Sequence, residues 1–195
     1  SVGDGRLQAR VMAALPYTPT GAQTRAIAEI TDDMATGQRM NRLLQGDVGA
    51  GKTLVAFMAL LRAVEAGGQG VLMAPTEILA RQHVQGLRPL ADQAGVVLEI
   101  LTGRDKGAER RAKLAALARG DIQVLVGTHA VFQADVQFHD LRLAVVDEQH
   151  RFGVHQRLAL RDQGSAGALT PHQLIMTATP IPRTLAMSAY ADLDT

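Results

Sequence analysis

The stretch Gly46-Asp47-Val48-Gly49-Ala50-Gly51-Lys52-Thr53 decides the fold of this chain. It fits the pattern G-x-x-x-x-G-K-[ST] at every position, between a possible strand at 41–45 and an apolar run with helical spacing at 54–66. In that context the glycines bring backbone N–H groups close to phosphate oxygens, and the helix N-terminus adds partial positive charge. Lys52 supplies a charge for the outer phosphates and Thr53 a hydroxyl ligand for Mg²⁺. The loop therefore predicts a nucleotide site, in which we expect Lys52 to face solvent before nucleotide binds.

A second group of candidate residues follows the apolar strand predicted at 141–146, where Asp147 and Glu148 stand side by side. Ligands of open α/β sheets bind at the edge formed by the carboxyl ends of the strands. Asp147 can hold Mg²⁺, directly or through water, and Glu148 can polarise the water that attacks a γ-phosphate. Thr177 and Thr179 end the last predicted strand, where their hydroxyls can bond to these acids or contact the phosphate.

Strands alternate with helices along the chain, which predicts a mostly parallel sheet with helices on both faces. We predict helices at 1–15, 21–36, 54–66, 76–87, 107–118 and 180–190. We predict strands at 41–45, 71–74, 96–101, 122–126, 141–146 and 173–176, with loops at 103–106 and 163–171. Proline disrupts a helix interior but suits its first turn, so we expect Pro89 to bend or restart the fourth helix and Pro180 to open the last.

The composition excludes several other classes of protein. The chain has 195 residues, 47% of them hydrophobic, which suits one globular domain. It contains no cysteine, hence no disulfide framework and no cysteine-based zinc site. The net charge of +1 does not indicate a polyanion partner, and 3% aromatic residues argue against a base-stacking platform. No apolar run approaches the roughly 18 residues of a membrane span, and we see no leader, so we expect no membrane partner and a cytoplasmic location.

Five motifs in a fixed order carry a family resemblance: GDVGAGKT, APTEILARQH, GTHA, DEQHRFG and TATPIPRTL. Together they resemble the first RecA-like motor domain of a superfamily-two helicase, a P-loop NTPase that uses ATP and Mg²⁺. More narrowly they resemble the bacterial RecG family of fork-remodelling helicases, from about residue 16 to residue 195. The transcription–repair coupling factors share several of these motifs and remain an alternative.

The resemblance implies further roles. Gln23 would read adenine, although the residue can equally be an exposed helix position. Four of these motifs, and the separate loop Thr102-Gly103, would contact the backbone of branched or forked DNA or couple it to hydrolysis, through Thr76, Arg81, Thr102, Gly103, Thr128, His129, Arg151, Thr177, Thr179 and Arg183. Arg81 can instead be a solvated charge, and His129 an ordinary loop histidine. Gln149 and His150 complete an acidic box with Asp147 and Glu148, and would relay the state of the γ-phosphate toward the DNA.

The resemblance also implies parts that this chain lacks. We find no wedge domain ahead of the motor and no second RecA-like domain after it, and the first residue is not methionine, so we expect a piece of a longer protein. In the family an arginine of the second domain, called an arginine finger, completes the nucleotide site. Such an arginine raises the rate of hydrolysis by about 10³–10⁵-fold. The chain alone should bind nucleotide, hydrolyse it weakly and fail to unwind DNA. A P-loop kinase or GTPase, or a binding module without motor activity, stays open as an alternative.

Overall fold

A single parallel sheet forms the centre of the computed structural model, which describes residues 4–45, 51–148, 171–177 and 190–192. The strands of the described part are β1 Asn41–Gln45, β2 Gln69–Met73, β3 Leu98–Leu101, β4 Val124–Gly127, β5 Leu141–Asp147, β6 His172–Thr177 and β7 Tyr190–Asp192. Their order across the sheet is β3-β4-β2-β5-β6-β1-β7, and every neighbouring pair is parallel. The predicted parallel sheet is confirmed.

Helices cover both faces of the sheet, as predicted. The helices of the described part are α1 Arg6–Ala14, α2 Gly21–Ala35, α3 Lys52–Glu65, α4 Glu77–Ala94 and α5 Gly107–Arg119, with a 3-10 turn at His129–Phe132. Helices α1 to α4 share one core with strand residues such as Leu72, while α5 packs on the opposite face with Val71 and Met73. Successive strand residues point to opposite faces, so one strand supplies both cores.

Helix α3 is the most deeply buried helix among the described residues. Its residues from Leu54 to Leu61 are all buried, and Phe57 is fully enclosed. A helix that is apolar all round has to be surrounded by other elements. Helices α1 and α2 and strands β2 and β5 provide that surround. The helix that begins at the predicted phosphate loop is therefore held firmly by the core.

Helix α1 receives its N-terminal cap from α3. The cap position of α1 is Gly5, which has no side chain to offer. The Glu65 carboxylate accepts hydrogen bonds from the N–H groups of Gly5, Leu7 and Gln8, at 2.7, 2.8 and 3.1 Å. Exposed N–H groups at a helix start favour a negative charge there. Glu65 thus fastens the first helix to the end of α3.

Two of the predicted helices differ in the structure. Helix α4 runs unbroken from Glu77 to Ala94 with Pro89 inside it. An interior proline costs about 3 kcal/mol, but Leu87 and Ala91 on either side of it stay buried in the core, and that packing keeps the helix continuous. Tyr190 lies in β7, which pairs with β1, so the prediction of a helix reaching residue 190 is wrong at its last residue. The rest of that predicted helix lies outside the described residues.

Strand β6 is joined to β1 through a histidine at its start. The N–H of Met40 donates to Nδ1 of His172 at 2.7 Å. Burial, with the positive charge of Arg39, lowers the pKa of His172 below its ordinary value of 6.5. A neutral imidazole is needed here because Nδ1 has to accept.

No helix of the described part is long and apolar enough to cross a membrane.

Candidate nucleotide-binding site

The candidate site lies at the carboxyl edge of the sheet, where β5, β6 and β1 end side by side. Strand β6 lies between the other two, with Met176 opposite Asp147 and Thr177 opposite Gln45. Lys52 begins α3 just after the phosphate loop. The loop residues Gly46, Asp47, Val48, Gly49 and Ala50 lie outside the described residues. The described part of the site therefore consists of the start of α3, directly after the loop, and the ends of strands β1, β5 and β6.

Lys52 is buried, with 9% of its surface exposed, so the expectation of a solvent-facing lysine is wrong. Its Nζ donates a hydrogen bond to the backbone carbonyl of Thr177 at 3.3 Å. The reason is the position of β6, whose last carbonyl lies within reach of the first turn of α3. An ammonium that leaves water needs such acceptors. The contact holds the charge at the edge where a phosphate would bind.

Asp147 is the last residue of β5 and is almost fully buried. Its Oδ2 lies 2.8 Å from Nε2 of His83, which comes from α4. Glu148 follows, and its N–H donates to the carbonyl of Met176 at 2.8 Å. The carboxylate of Asp147 and the hydroxyl of half-buried Thr53 are the hard oxygen donors that Mg²⁺ prefers.

A Mg²⁺ ion at this edge agrees with the residues present. The described residues contain no cluster of three or more metal-binding His, Cys, Asp or Glu side chains. Mg²⁺ at a nucleotide site uses only one or two carboxylates, together with waters and the phosphates themselves. A single buried carboxylate is therefore sufficient protein ligation for it.

Gln23 is buried, so the alternative of an exposed helix residue is wrong. Its Oε1 accepts from the N–H of Thr20 at 2.8 Å, and the Thr20 hydroxyl accepts from the N–H of Gln23 at 3.1 Å. This capping box starts α2, and the Thr-x-x-Gln spacing was a signal in the sequence from which it could have been predicted. Gln23 Nε2 also donates to the carbonyl of Gly51 at 3.3 Å. The proposed adenine reader thus contacts the end of the phosphate loop.

A side chain at Gly51 would force Gln23 to move. Its φ is 83°, in the left-handed region that glycine favours. A Cβ built there would lie 1.8 Å from Gln23 Nε2. The close approach of the loop exit to α2 therefore depends on this glycine.

Three of the residues expected to contact DNA meet around Glu77, at the start of α4. The Thr102 hydroxyl donates to Glu77 Oε1 at 2.8 Å, and Arg81 reaches the same oxygen at 3.2 Å. Thr76 caps the helix by accepting from the N–H of Leu79 at 3.2 Å. The bond from Thr102 is the largest cause that keeps the pKa of Glu77 below its usual value. Arg104, which the sequence did not single out, also pairs with Glu77 at 2.8 Å and has a well-exposed side chain.

The turn after β3 is held from behind by Asp105. Its Oδ2 accepts from the N–H of Thr102 at 2.9 Å, and Lys113 of α5 donates to its Oδ1 at 2.8 Å. Burial raises the pKa of Asp105, but the hydrogen bonds from Lys113 and Thr102 outweigh it and leave the pKa below its ordinary value. The turn predicted at 103–106 is confirmed, and it leaves Gly103 exposed.

The remaining residues that were expected to contact DNA either follow β4 or lie outside the residues that the structure describes. Thr128 is buried and caps the 3-10 turn by accepting from the N–H of Ala130 at 3.4 Å. His129 is exposed at the start of that turn. The other members of this group lie outside the described residues: Gln149, His150, Arg151, Thr179 and Arg183.

The chain is similar to known helicases along nearly its whole length. A model of the family described as "DEAD/DEAH box helicase" matches residues 20–188. The chain is 59% identical over 97% of its length to the ATP-dependent DNA helicase RecG of Escherichia coli O127:H6 (strain E2348/69 / EPEC), and it spans 27% of that protein. It is 51% identical over 95% of its length to RecG of Bacillus subtilis (strain 168), and spans 26% of it. A solved structure of RecG bound to a three-way DNA junction matches 98% of the chain at 37% identity, with a TM-score of 0.79 and 26% of that chain covered.

Proposed function

Because the chain belongs to the DEAD/DEAH box helicase family, we propose that residues 1–195 form the ATP-binding motor domain of a RecG-type DNA helicase. This helicase remodels branched or forked DNA in recombination and repair, in the bacterial cytoplasm. The observation that carries the proposal is the meeting of Lys52, Asp147 and Glu148 at one sheet edge, beside the backbone of β6. That edge is where an open α/β sheet binds its ligand.

Each residue of the edge has one task in this proposal. The loop 46–51 and Lys52 hold the phosphates of ATP, with Lys52 already kept in place by the carbonyl of Thr177. Thr53 and Asp147 hold Mg²⁺, which neutralises charge on the phosphates. Glu148 orients and polarises the attacking water. Gln23 lies close enough to Gly51 to join adenine recognition to the loop.

The DNA side of the proposal rests on a second group of residues at the same edge. Arg81 and Thr102 are joined through Glu77, Thr76 caps the same helix, and His129 is exposed after β4. Hydroxyls, guanidinium groups and backbone N–H groups bind phosphates without reading base sequence. Gly103, Thr128, Arg151, Thr177, Thr179 and Arg183 are assigned to the same contact and coupling role by their place in the family motifs. DNA contact should therefore depend on branch shape and on salt rather than on sequence.

The whole helicase needs parts beyond these residues. The chain spans 27% of the RecG of E. coli O127:H6. We assign the remaining wedge domain and second RecA-like domain to the parent protein. Hydrolysis by residues 1–195 alone should be weak, since the arginine finger of the second domain is worth about 10³–10⁵ in rate.

The test is made on the full-length parent. Lys52→Ala should abolish binding of a fluorescent ATP analogue with Mg²⁺, while Lys106→Ala, which removes an exposed lysine, should leave it unchanged. ATP hydrolysis by the wild type should rise more with forked DNA than with linear duplex. Full nucleotide binding by a folded Lys52→Ala protein would contradict the ATP assignment. Equal stimulation by forked and linear DNA would favour a translocase of the coupling-factor type.

A further inference from the structure

His83 makes a contact that none of the roles above explains. It lies on α4, and its Nε2 is 2.8 Å from Oδ2 of Asp147 at the end of β5. The two side chains are 10% and 4% exposed, so little water competes for the contact. The backbone of β5 is already paired with β2 on one side and with β6 on the other. His83 is therefore not needed to hold the strand in place. Its contact instead sets the direction of the Asp147 carboxylate.

We propose that His83 is a positioning residue for the magnesium site: it holds the Asp147 carboxylate in the orientation that binds Mg²⁺–ATP. The inference rests on the proposed ATP site and adds to it a residue from a separate helix. An ionised carboxylate has only acceptors, so Nε2 carries the hydrogen and donates. Hydrogen bonds to a charged acceptor are about twice as strong as neutral ones. One such bond at Oδ2 fixes the rotation of the carboxylate group.

The chemistry of metal sites supports such a role. Carboxylates that bind a metal are commonly held by hydrogen bonds from residues behind them, and the loss of such a partner costs about 10–100-fold in metal affinity or activity. Without His83, Asp147 would turn between rotamers, and binding the ion would have to order it again. The expected loss is therefore in affinity for Mg²⁺, while the interaction of Lys52 with the phosphates is unaffected.

The position of His83 also joins the magnesium site to the expected DNA contacts. Six residues before it on the same helix, Glu77 binds Thr102 and Arg104. At about 1.5 Å per residue the separation along the helix axis is roughly 9 Å. Pro89 lies beyond His83, so the segment from Glu77 to His83 keeps its helical hydrogen bonds. The same rigid helix start therefore carries both contacts.

The experiment measures how a fluorescent ATP analogue binds the full-length parent as Mg²⁺ is titrated. His83→Leu keeps bulk but removes the donor, and His83→Gln keeps an N–H donor at a similar reach. We expect His83→Leu to need about 10–100-fold more Mg²⁺ for half-maximal binding, and His83→Gln to keep most of the wild-type affinity. Both should bind the analogue like the wild type in EDTA. In an Asp147→Asn background, His83→Leu should add no further loss.

Three results would overturn the inference. One is a wild-type Mg²⁺ requirement in folded His83→Leu. The second is an equal loss in folded His83→Gln, which would make shape rather than the donor responsible. The third is a full additional loss in the Asp147→Asn background, which would show that His83 acts elsewhere. If the wild type itself bound no Mg²⁺–nucleotide, the proposed function would fail first. Thermal unfolding of each variant establishes that it is folded.

Discussion

Replacement of Gly51 by alanine should destabilise the chain more than the same change at Gly37, whose backbone is also left-handed. Gly51 has a φ of 83°, and an alanine Cβ there would lie 1.8 Å from Gln23 Nε2. The left-handed conformation costs alanine about 1–2 kcal/mol. Gln23 would also have to leave, which breaks its bonds to the Gly51 carbonyl and to the N–H of Thr20. At about 1 kcal/mol per hydrogen bond the total reaches about 3–4 kcal/mol.

Gly37 provides the matched control. Its φ is 81°, and a Cβ there would meet nothing within 4 Å. Gly37→Ala should therefore lose only the conformational term, about 1–2 kcal/mol. The difference between the two variants, about 2 kcal/mol, measures the collision with Gln23 and the bonds it breaks.

The assay is urea unfolding of the chain, with nucleotide binding measured in parallel. In a Gln23→Ala background the collision is gone, so Gly51→Ala should then cost no more than Gly37→Ala. Gly51→Ala should also weaken nucleotide binding, whereas Gly37→Ala should not. Equal losses of stability for Gly51→Ala and Gly37→Ala in the wild-type background would refute the reasoning.

Three further predictions concern hydrolysis, DNA contact and pH. In the parent protein, Glu148→Gln should bind ATP yet lose hydrolysis under saturating DNA, and normal turnover would remove Glu148 from its role. Asp105→Ala should release the turn that Lys113 and Asp105 hold and weaken DNA binding in a fluorescence-anisotropy titration, with Mg²⁺–nucleotide affinity unchanged. Because burial lowers the pKa of His172, the folded chain takes up its proton later than the unfolded chain as the pH falls. Its contribution to stability should be complete above pH 6.5 and lost below it, and His172→Asn should flatten that dependence in urea unfolding curves.

The sequence predicts the parts of this molecule that depend on local pattern. Apolar strand runs, glycine stops and the phosphate loop place the parallel sheet and its carboxyl edge correctly, because short-range spacing determines them. Helix α4 shows the limit: Pro89 was expected to bend or restart it, yet one helix runs through to Ala94, because contacts of Leu87 and Ala91 with the core outweigh the local penalty. Burial of Lys52 was missed for the same reason, since it depends on where β6 ends.

Contacts between distant elements account for the rest of what was missed at the site. His83 is 64 residues from Asp147 in the chain, and Glu77 is 25 residues from Thr102. No spacing rule joins such positions, because their meeting depends on strand order across the sheet. The Gln23 capping box differs from these contacts. Its Thr20 partner is three residues away, so the box could be predicted from the sequence pattern.

The carboxylate of Glu65 gives α3 the geometry of a lever. Helix α3 has 14 residues between Lys52 and Glu65, and at about 1.5 Å per residue it is about 21 Å long. A tilt of about 5° around its phosphate end would move the far end by about 2 Å. Since Glu65 holds the N–H groups of Gly5, Leu7 and Gln8, that displacement would pass directly to α1. A small tilt of α3 at the nucleotide would then become a larger displacement of any segment joined ahead of Gly5.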